Sequence, residues 1–437
     1  MTAVPAAGNE TRADWLCGEA LQPAFSPRSA AIPGQLLGAD ERTQVTLGWL
    51  HRYPARFAVE VLTEMIATAV SRCDRRIGLL VDPFAGTAAT VAACRQLGIP
   101  SAGVEFTHLG ALIGTLRTVA PRDPWAAAHQ CEAITRSHAT STRTIDDELA
   151  GWLGPANANL LARYLDAVDN LEGVRERRFA TVALSQALRS ASRWLRGSIK
   201  PQIDPDRAPV PLNLAFARWA RQLARDLNAE QAASATVSDL LGVGLPRGTV
   251  IHGDARRLPF ADASTDAIVT SPPYFTTYDY FDVQRLSYLA FGWPMPRGDQ
   301  IGAKYGQARA ATYPDLPQPF DVWFEHFGGE ATTDGRALRA YVEALRDHLR
   351  EARRVSASGG VVCYSLANSV RSGRAFNLVA GFEAMLDEVG FVDISVEART
   401  QEGRRILPAG RNSSTGRFSS SAAHAGVREY VVFGRRP

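Results

Sequence analysis

The segment from Ile77 to Glu105 leaves this chain little choice of fold. Ile77-Gly78-Leu79-Leu80-Val81-Asp82 is an apolar run of strand length, and it passes through a turn of small residues, Pro83-Phe84-Ala85-Gly86-Thr87-Ala88-Ala89-Thr90, into a helical stretch that stops near Gly98. A second apolar run, Ser101 to Val104, ends on Glu105. Strand, turn, helix and strand make a βαβ unit, and such units build parallel sheets covered by helices.

The same alternation returns late in the chain. Thr249-Val250-Ile251-His252 reads as a strand with Asp254 at its end, and Asp266-Ala267-Ile268-Val269 as another that runs into Thr270-Ser271-Pro272-Pro273-Tyr274. Arg339 to Arg354 is predicted to be a helix broken at Gly359-Gly360, followed by a strand at Val361-Val362-Cys363-Tyr364-Ser365. A helix at Asn377 to Glu388 and strands near Val392 and at Glu429 to Phe433 close the domain, with Pro408 to Ala425 read as a mobile loop. Between the two sheet-forming stretches the period becomes helical, as at Asn157 to Leu171, Ala180 to Leu195 and Asn213 to Leu227. The organisation expected is a loosely ordered leader (1–45), a first sheet-forming part (46–120), a mainly helical insertion (121–247) and a second sheet-forming part (248–437).

At 437 residues and 46% hydrophobic, the chain can bury a large core. No apolar run is long enough to span a bilayer, and Met1 to Arg12 lacks a signal pattern, so a soluble cytoplasmic protein is expected. Cys17, Cys73, Cys94, Cys131 and Cys363 are scattered, which predicts free thiols and no structural metal. A net charge of +3 requires any nucleic-acid contact to come from a local patch. Leu171 to Lys200 is such a patch, with Arg175, Arg177, Arg178, Arg189, Arg193, Arg196 and Lys200 set against Glu172 and Glu176, and with Trp194 among them.

Open α/β sheets bind ligands at the carboxyl ends of their strands, where Asp82, Glu105, Asp254 and Ser271 fall. Gly86 lets the backbone approach a ligand, Glu105 lies at the interval from the turn at which an acid takes ribose hydroxyls, and Asp254 could meet an adenine amine. The turn lacks the glycine spacing that a pyrophosphate needs, which favours S-adenosylmethionine over a nicotinamide dinucleotide. Pro272 and Pro273 fix two φ angles and carry no N–H, so carbonyls there stay free to accept from an outside amine. Ser271 adds an acceptor and Tyr274 a flat face for a planar base.

These residues resemble the motifs of the amino-group DNA methyltransferases that modify cytosine N4 or adenine N6. Asp82-Pro83-Phe84-Ala85-Gly86 is similar to cofactor motif I, Glu105 to the motif II acid, Asp254 to the motif III acid, Thr270 to Tyr274 to motif IV, and His51 to Phe57 to motif X. The resemblance implies a Rossmann-like S-adenosylmethionine methyltransferase sheet, with 46–120 as the cofactor half, 248–437 as the catalytic half and 121–247 as the target-recognition region. It implies S-adenosylmethionine contacts from Tyr53, Asp82, Pro83, Phe84, Ala85, Gly86, Thr87, Glu105, Phe106, Asp254 and Ala255, and catalysis by Ser271, Pro272, Pro273 and Tyr274. Double-stranded DNA is the implied partner, contacted by Arg189, Arg193, Trp194, Arg196 and Lys200, with no metal and no membrane, in a restriction or defence system or alone.

Ala88 stands where family members usually carry a second glycine, and its methyl is expected to narrow the space beside the methionine moiety. Serine at 271 resembles members acting on cytosine N4, with the base flipped out of the duplex and stacked on Tyr274. Tyr278-Asp279-Tyr280-Phe281 adds aromatics and an acid near that pocket, or else packs a following helix. An adenine-N6 target, an RNA base, and a non-catalytic nucleic-acid-binding protein with a degenerate cofactor site are the competing readings.

Overall fold

The computed structural model describes residues 45–53, 58–241, 244–275, 279–296, 298–302, 315–371, 374–399 and 429–437. Most of the leader (1–44), Pro54 to Phe57, Tyr278 and the Pro408 to Ala425 loop lie outside the described residues.

Helix α1 (Val59–Arg72) precedes strand β1 (Leu80–Asp82), helix α2 (Ala89–Gln96), strand β2 (Ser101–Glu105) and helix α3 (His108–Thr118). Before the next strand come α4 (Pro124–Arg136), α5 (Asp147–Leu153), α6 (Pro155–Asp169), α7 (Val174–Ser190) and α8 (Leu212–Leu241). The chain then forms β3 (Thr249–His252), β4 (Thr265–Thr270), α9 (Tyr280–Val283), α10 (Arg285–Phe291), α11 (Phe320–His326) and α12 (Thr333–Val355). It ends with β5 (Ser356–Ala367), the hairpin β6 (Ser369–Arg371) and β7 (Arg374–Phe376), α13 (Leu378–Glu388), β8 (Val392–Arg399) and β9 (Glu429–Arg435).

Seven strands make one sheet in the order β3-β2-β1-β4-β5-β9-β8. The first five are parallel, and β9 runs antiparallel to both β5 and β8. This is a doubly wound, Rossmann-like α/β fold. The chain leaves β1 for β2 and β3 on one side and returns to β4 and β5 on the other, so the order reverses between β1 and β4. The crevice beyond the carboxyl ends of those two strands is where such a sheet binds ligands.

Period-two alternation divides the strands between two cores. Leu80, Ala267, Val269, Val361 and Cys363 pack with Leu62, Met65 and Ile66 of α1. Val81, Ile268, Val362 and Tyr364 pack on the other face with Leu338, Tyr341 and Leu345 of α12 and Phe382 of α13. Each buried Val, Leu, Ile, Met or Phe among them contributes about 1.5–3 kcal/mol, so the strand ends are carried on a sheet clamped from both faces. Helices α3 to α8 share a third core with α10, in which Leu161, Phe179, Leu184, Leu188, Phe216 and Tyr288 are buried. Among the described residues, no helix is long and apolar enough to cross a membrane.

Three elements differ from the sequence expectation, the simplest being the helix expected at Asn213 to Leu227, which runs from Leu212 to Leu241. The helix predicted at Ala180 to Leu195 begins at Val174 and ends at Ser190. Its first turns, Arg175-Glu176-Arg177-Arg178, hide the apolar period, and beyond it the chain folds back so that Trp194 bridges Ile203. Gly359-Gly360 does not end α12, which stops at Val355, but makes a bulge inside β5. The ladder to β4 jumps from Thr265↔Ser356 to Ala267↔Val361 there, and Gly359 takes φ +76°.

Candidate active site

The first turn is built around Gly86. Its φ of +53° lies in the left-handed region, and a Cβ added to it would stand 3.3 Å from Cε1 of Tyr53, so both dihedral and packing ask for glycine. The Gly86 N–H donates to Oε2 of Glu105 at 2.8 Å. Oε1 of Glu105 accepts from the Thr107 N–H at 2.9 Å, the Thr107 hydroxyl and the Tyr53 hydroxyl at 3.0 Å. A carboxylate offers about four lone-pair sites, so Oε1 is fully engaged and Oε2 keeps one site for an outside donor. Burial, then the adjacent Glu105 charge, pushes the Tyr53 phenol well above its usual range, so it stays a donor at neutral pH.

Asp82, the last residue of β1, is buried beneath this turn. Oδ1 accepts from the Phe84 N–H at 3.1 Å and the Thr270 hydroxyl at 2.5 Å, and Oδ2 from the Thr90 hydroxyl at 2.5 Å. Burial raises its carboxyl to about 6 against the lowering effect of these donors. Its hydrogen bonds therefore join the turn, α2 and β4.

Ala88 corrects one expectation. It adopts φ 58°, ψ 39° and is fully buried, but its methyl packs with Val91 and Val250 behind the turn and not against the cavity. Its methyl does not narrow the cavity; what alanine changes here is a backbone position that favours glycine.

Asp254, after β3, is held by Arg256: Oδ1 accepts from Nε at 3.0 Å and Oδ2 from Nη2 at 2.6 Å, while Oδ1 also takes the Arg256 N–H at 2.9 Å. Arg256 reaches on to the Asp299 carbonyl at 2.8 Å. The expectation that this carboxylate stands open to an adenine amine is thus modified, since most of its acceptor capacity is taken by a neighbouring guanidinium.

At the end of β4 the Ser271-Pro272-Pro273-Tyr274 turn enters the same cavity. Of its carbonyls, that of Pro273 is not free, because the Tyr341 hydroxyl of α12 donates to it at 3.0 Å. Among the described residues, no group donates to the Pro272 carbonyl or the Ser271 hydroxyl.

A cavity of about 310 Å³ joins these groups, a size suited to a small-molecule ligand. Tyr53, Asp82, Pro83, Phe84, Ala85, Gly86, Thr87, Glu105, Phe106, Asp254, Ala255, Ser271, Pro272, Pro273 and Tyr274 all line it. Tyr280 lines it too, its ring 5.9 Å from that of Tyr53, whereas Phe281 is core and Asp279 caps α9. Sequence reasoning missed Asp299, Gln300 and Ile301, which also line the cavity; Gly302, beside them, approaches the Tyr274 carbonyl so closely that a Cβ would stand 3.0 Å away. Gln300 is buried, and among the described residues neither of its amide atoms is hydrogen-bonded. No motif marks that stretch. Also unforeseen is His348, whose Nδ1 bonds the Ala255 carbonyl at 3.0 Å and Nε2 the Tyr364 hydroxyl at 2.8 Å, behind the cavity wall. Burial lowers it to about 4, so it is neutral.

The basic stretch is divided. Arg189 lies in the last turn of α7, and Arg193, Arg196 and Lys200 lie on the turn that follows, closed by Leu195 N–H to Gln202 O at 2.8 Å and Asp204 N–H to Arg193 O at 2.8 Å. Arg196 and Lys200 are exposed. Trp194 is not available to a nucleic acid: it is 1% exposed, its ring 5.4 Å from that of Trp152 and its Nε1 donating to Ser198 O at 3.0 Å. Among the described residues, no cluster of three or more His, Cys, Asp or Glu side chains could hold a metal.

No protein-family model matches the chain, and no curated protein matches it. Among solved structures it is similar to a protein of Thermus thermophilus that is provisionally named a DNA modification methylase and was crystallised with S-adenosyl-L-methionine. The likeness is 19% in identity, covers 42% of this chain and 54% of that one, about half its length, and has a TM-score of 0.21.

Proposed function

We propose that the protein is an S-adenosylmethionine-dependent DNA methyltransferase that acts on an exocyclic base amine, cytosine N4 in first place. The observation that carries this reading is that the Ser271-Pro272-Pro273-Tyr274 turn opens into the same cavity as Gly86 and Glu105.

The residues present fit the cofactor. Oε2 of Glu105 has an acceptor site to spare for a ribose hydroxyl. Gly86 leaves its backbone open to close approach, and Phe106 and Ala255 offer apolar wall for an adenine. When bound, S-adenosylmethionine supplies a methyl group already activated by its sulfonium.

What the chain must do is orient the acceptor. Ser271 Oγ and the Pro272 carbonyl, both without a donor among the described residues, accept the two hydrogens of a base amine. Accepting them draws the nitrogen lone pair out of ring conjugation and makes it nucleophilic; fixing it in line is the larger part of the catalysis. The proline pair and the Tyr341 bond to Pro273 hold this edge rigid. Tyr274 is the face on which a flipped base stacks. Arg193, Arg196 and Lys200, on the turn after α7, are the proposed DNA contacts within 121–247.

The test is incubation with tritiated S-adenosylmethionine and unmethylated duplex DNA or total RNA, then nucleoside digestion and mass spectrometry. N4-methylcytosine in DNA is expected. N6-methyladenine would change the target base, label confined to RNA would overturn the DNA substrate, and no transfer from a folded protein would overturn the enzyme.

A further inference from the structure

Several arginines are neutralised: Arg143, Arg256, Arg285, Arg346 and Arg354 each pair with a carboxylate. Four that gather where α7 ends are not. Arg52, Arg189, Arg196 and Arg207 make no ion pair among the described residues. Arg207 instead donates to the Trp194 carbonyl and, at 3.4 Å, to the Ser190 carbonyl. Arg189 donates to the Ser198 carbonyl, with its guanidinium 4.4 Å over the Trp194 ring. The Arg52 N–H is bonded at 3.0 Å to Gln186, one turn before Arg189 on the same helix face.

A helix carboxyl end favours a cation in its last turn, which accounts for Arg189 and not for the other three. The cluster repels itself. Burial first, and then Arg52 and Arg207, lower Arg189 to about 10; burial and then Arg196 lower Arg207, with Asp204 the acid that opposes this. Arg189 still carries its charge at neutral pH. The Arg189 and Arg207 guanidiniums, fixed by backbone carbonyls with most of their five N–H donors unspent, fit the oxygens of a phosphate, as does the exposed side chain of Arg52 beside them.

Resting on the methyltransferase reading, we propose that Arg52, Arg189, Arg196 and Arg207 clamp a backbone phosphate of the substrate DNA. Arg52 immediately precedes Tyr53 of the cavity wall, so the clamp fixes the DNA strand beside the cavity that receives the base. The buried Trp194 serves it from beneath, as the plate on which Arg189 lies.

Arg52→Gln tests this, because the side chain is exposed and its loss does not disturb the core. Binding of a fluorescent duplex is measured against salt, with S-adenosylhomocysteine binding measured alongside. Each phosphate contact contributes about 0.9 to the slope of log K against log salt. Arg52→Gln is expected to lower that slope by about this amount, Arg52→Lys to preserve it, and both to bind S-adenosylhomocysteine within about twofold of the parent, less than a 1 kcal/mol change. An unchanged slope in Arg52→Gln, or no salt-dependent duplex binding by the parent, would overturn the clamp. Unchanged slopes with intact S-adenosylhomocysteine binding would remove the clamp and keep the methyltransferase, whereas a lowered slope in a protein that binds no S-adenosylhomocysteine would keep the clamp and remove the methyltransferase.

Discussion

The Thr270 hydroxyl donates to Oδ1 of Asp82 at 2.5 Å, tying the last residue of β4 to the last residue of β1 across the point where the strand order reverses. The Gly86 turn follows one of these residues and the Ser271-Pro272-Pro273-Tyr274 turn the other. Thr270→Val keeps the shape and removes the donor, leaving a buried carboxylate one bond short. Destabilisation of about 1–3 kcal/mol is expected from the desolvation that is no longer offset, read as a shift in the urea midpoint at constant m-value. A midpoint within error of the parent would mean that the bond holds nothing.

The same carboxylate predicts a pH dependence. Its folded value, about 6, lies above the ordinary 3.8, so the folded state binds the proton more tightly than the unfolded one. Its contribution to stability is full below about pH 4 and is lost as pH rises through about 6. Two units correspond to about 3 kcal/mol. Asp82→Asn cannot ionise, and its stability relative to the parent should therefore improve between pH 4.5 and 7.5. Denaturation of both proteins at the two pH values checks it; a gap that stays constant would show that Asp82 titrates normally.

Cofactor binding and transfer should separate by residue. Glu105→Ala removes the acceptor shared by Gly86, Thr107 and Tyr53, and is expected to weaken S-adenosylhomocysteine binding at least tenfold, about 1.4 kcal/mol. Ser271→Ala and Tyr274→Ala should leave that binding within about twofold, while lowering single-turnover methyl transfer about a hundredfold, in the range lost with one transition-state donor or acceptor. Full transfer by Tyr274→Ala would refute the stacking role.

Tyr341→Phe probes the support of the proposed catalytic turn, Ser271 to Tyr274. It frees the Pro273 carbonyl and loses one hydrogen bond, about 1 kcal/mol of stability. With the turn less fixed, kcat is expected to fall several-fold at unchanged cofactor affinity. Loss of cofactor binding instead would assign Tyr341 a different part.

Much of the sheet was legible because a parallel strand buried on both faces is written as an uninterrupted apolar run, and its end by the first polar residue. Asp82, Glu105 and Ser271 could be assigned to one crevice on that basis alone. What those groups are bonded to was not legible. Asp82 meets Thr270 across 188 positions and Pro273 meets Tyr341 across 68, and no local pattern encodes such pairs. Trp194 read as an exposed aromatic among arginines because nothing in its neighbours reveals the Trp152 ring beside it. Gln300 sits in a stretch with neither period nor motif.

Ala88 and Gly86 share a turn and a left-handed backbone, yet substitutions there should act differently. In Ala88→Gly, relief of the left-handed strain returns about 1–2 kcal/mol. The lost buried methyl removes about 0.8 kcal/mol, and the freer unfolded chain about 0.4–1 kcal/mol. The terms nearly cancel, and because the methyl packs on Val91 and Val250, cofactor affinity should not move. Gly86→Ala gains about 0.4–1 kcal/mol from a stiffer unfolded chain, but it adds about 1–2 kcal/mol of strain at φ +53° and sets a Cβ 3.3 Å from Tyr53, whose hydroxyl bonds Glu105. It should both destabilise the protein and weaken S-adenosylhomocysteine binding. Calorimetric titration of the two variants checks the contrast, and tighter binding by Ala88→Gly would return the Ala88 methyl to the ligand's side of the turn.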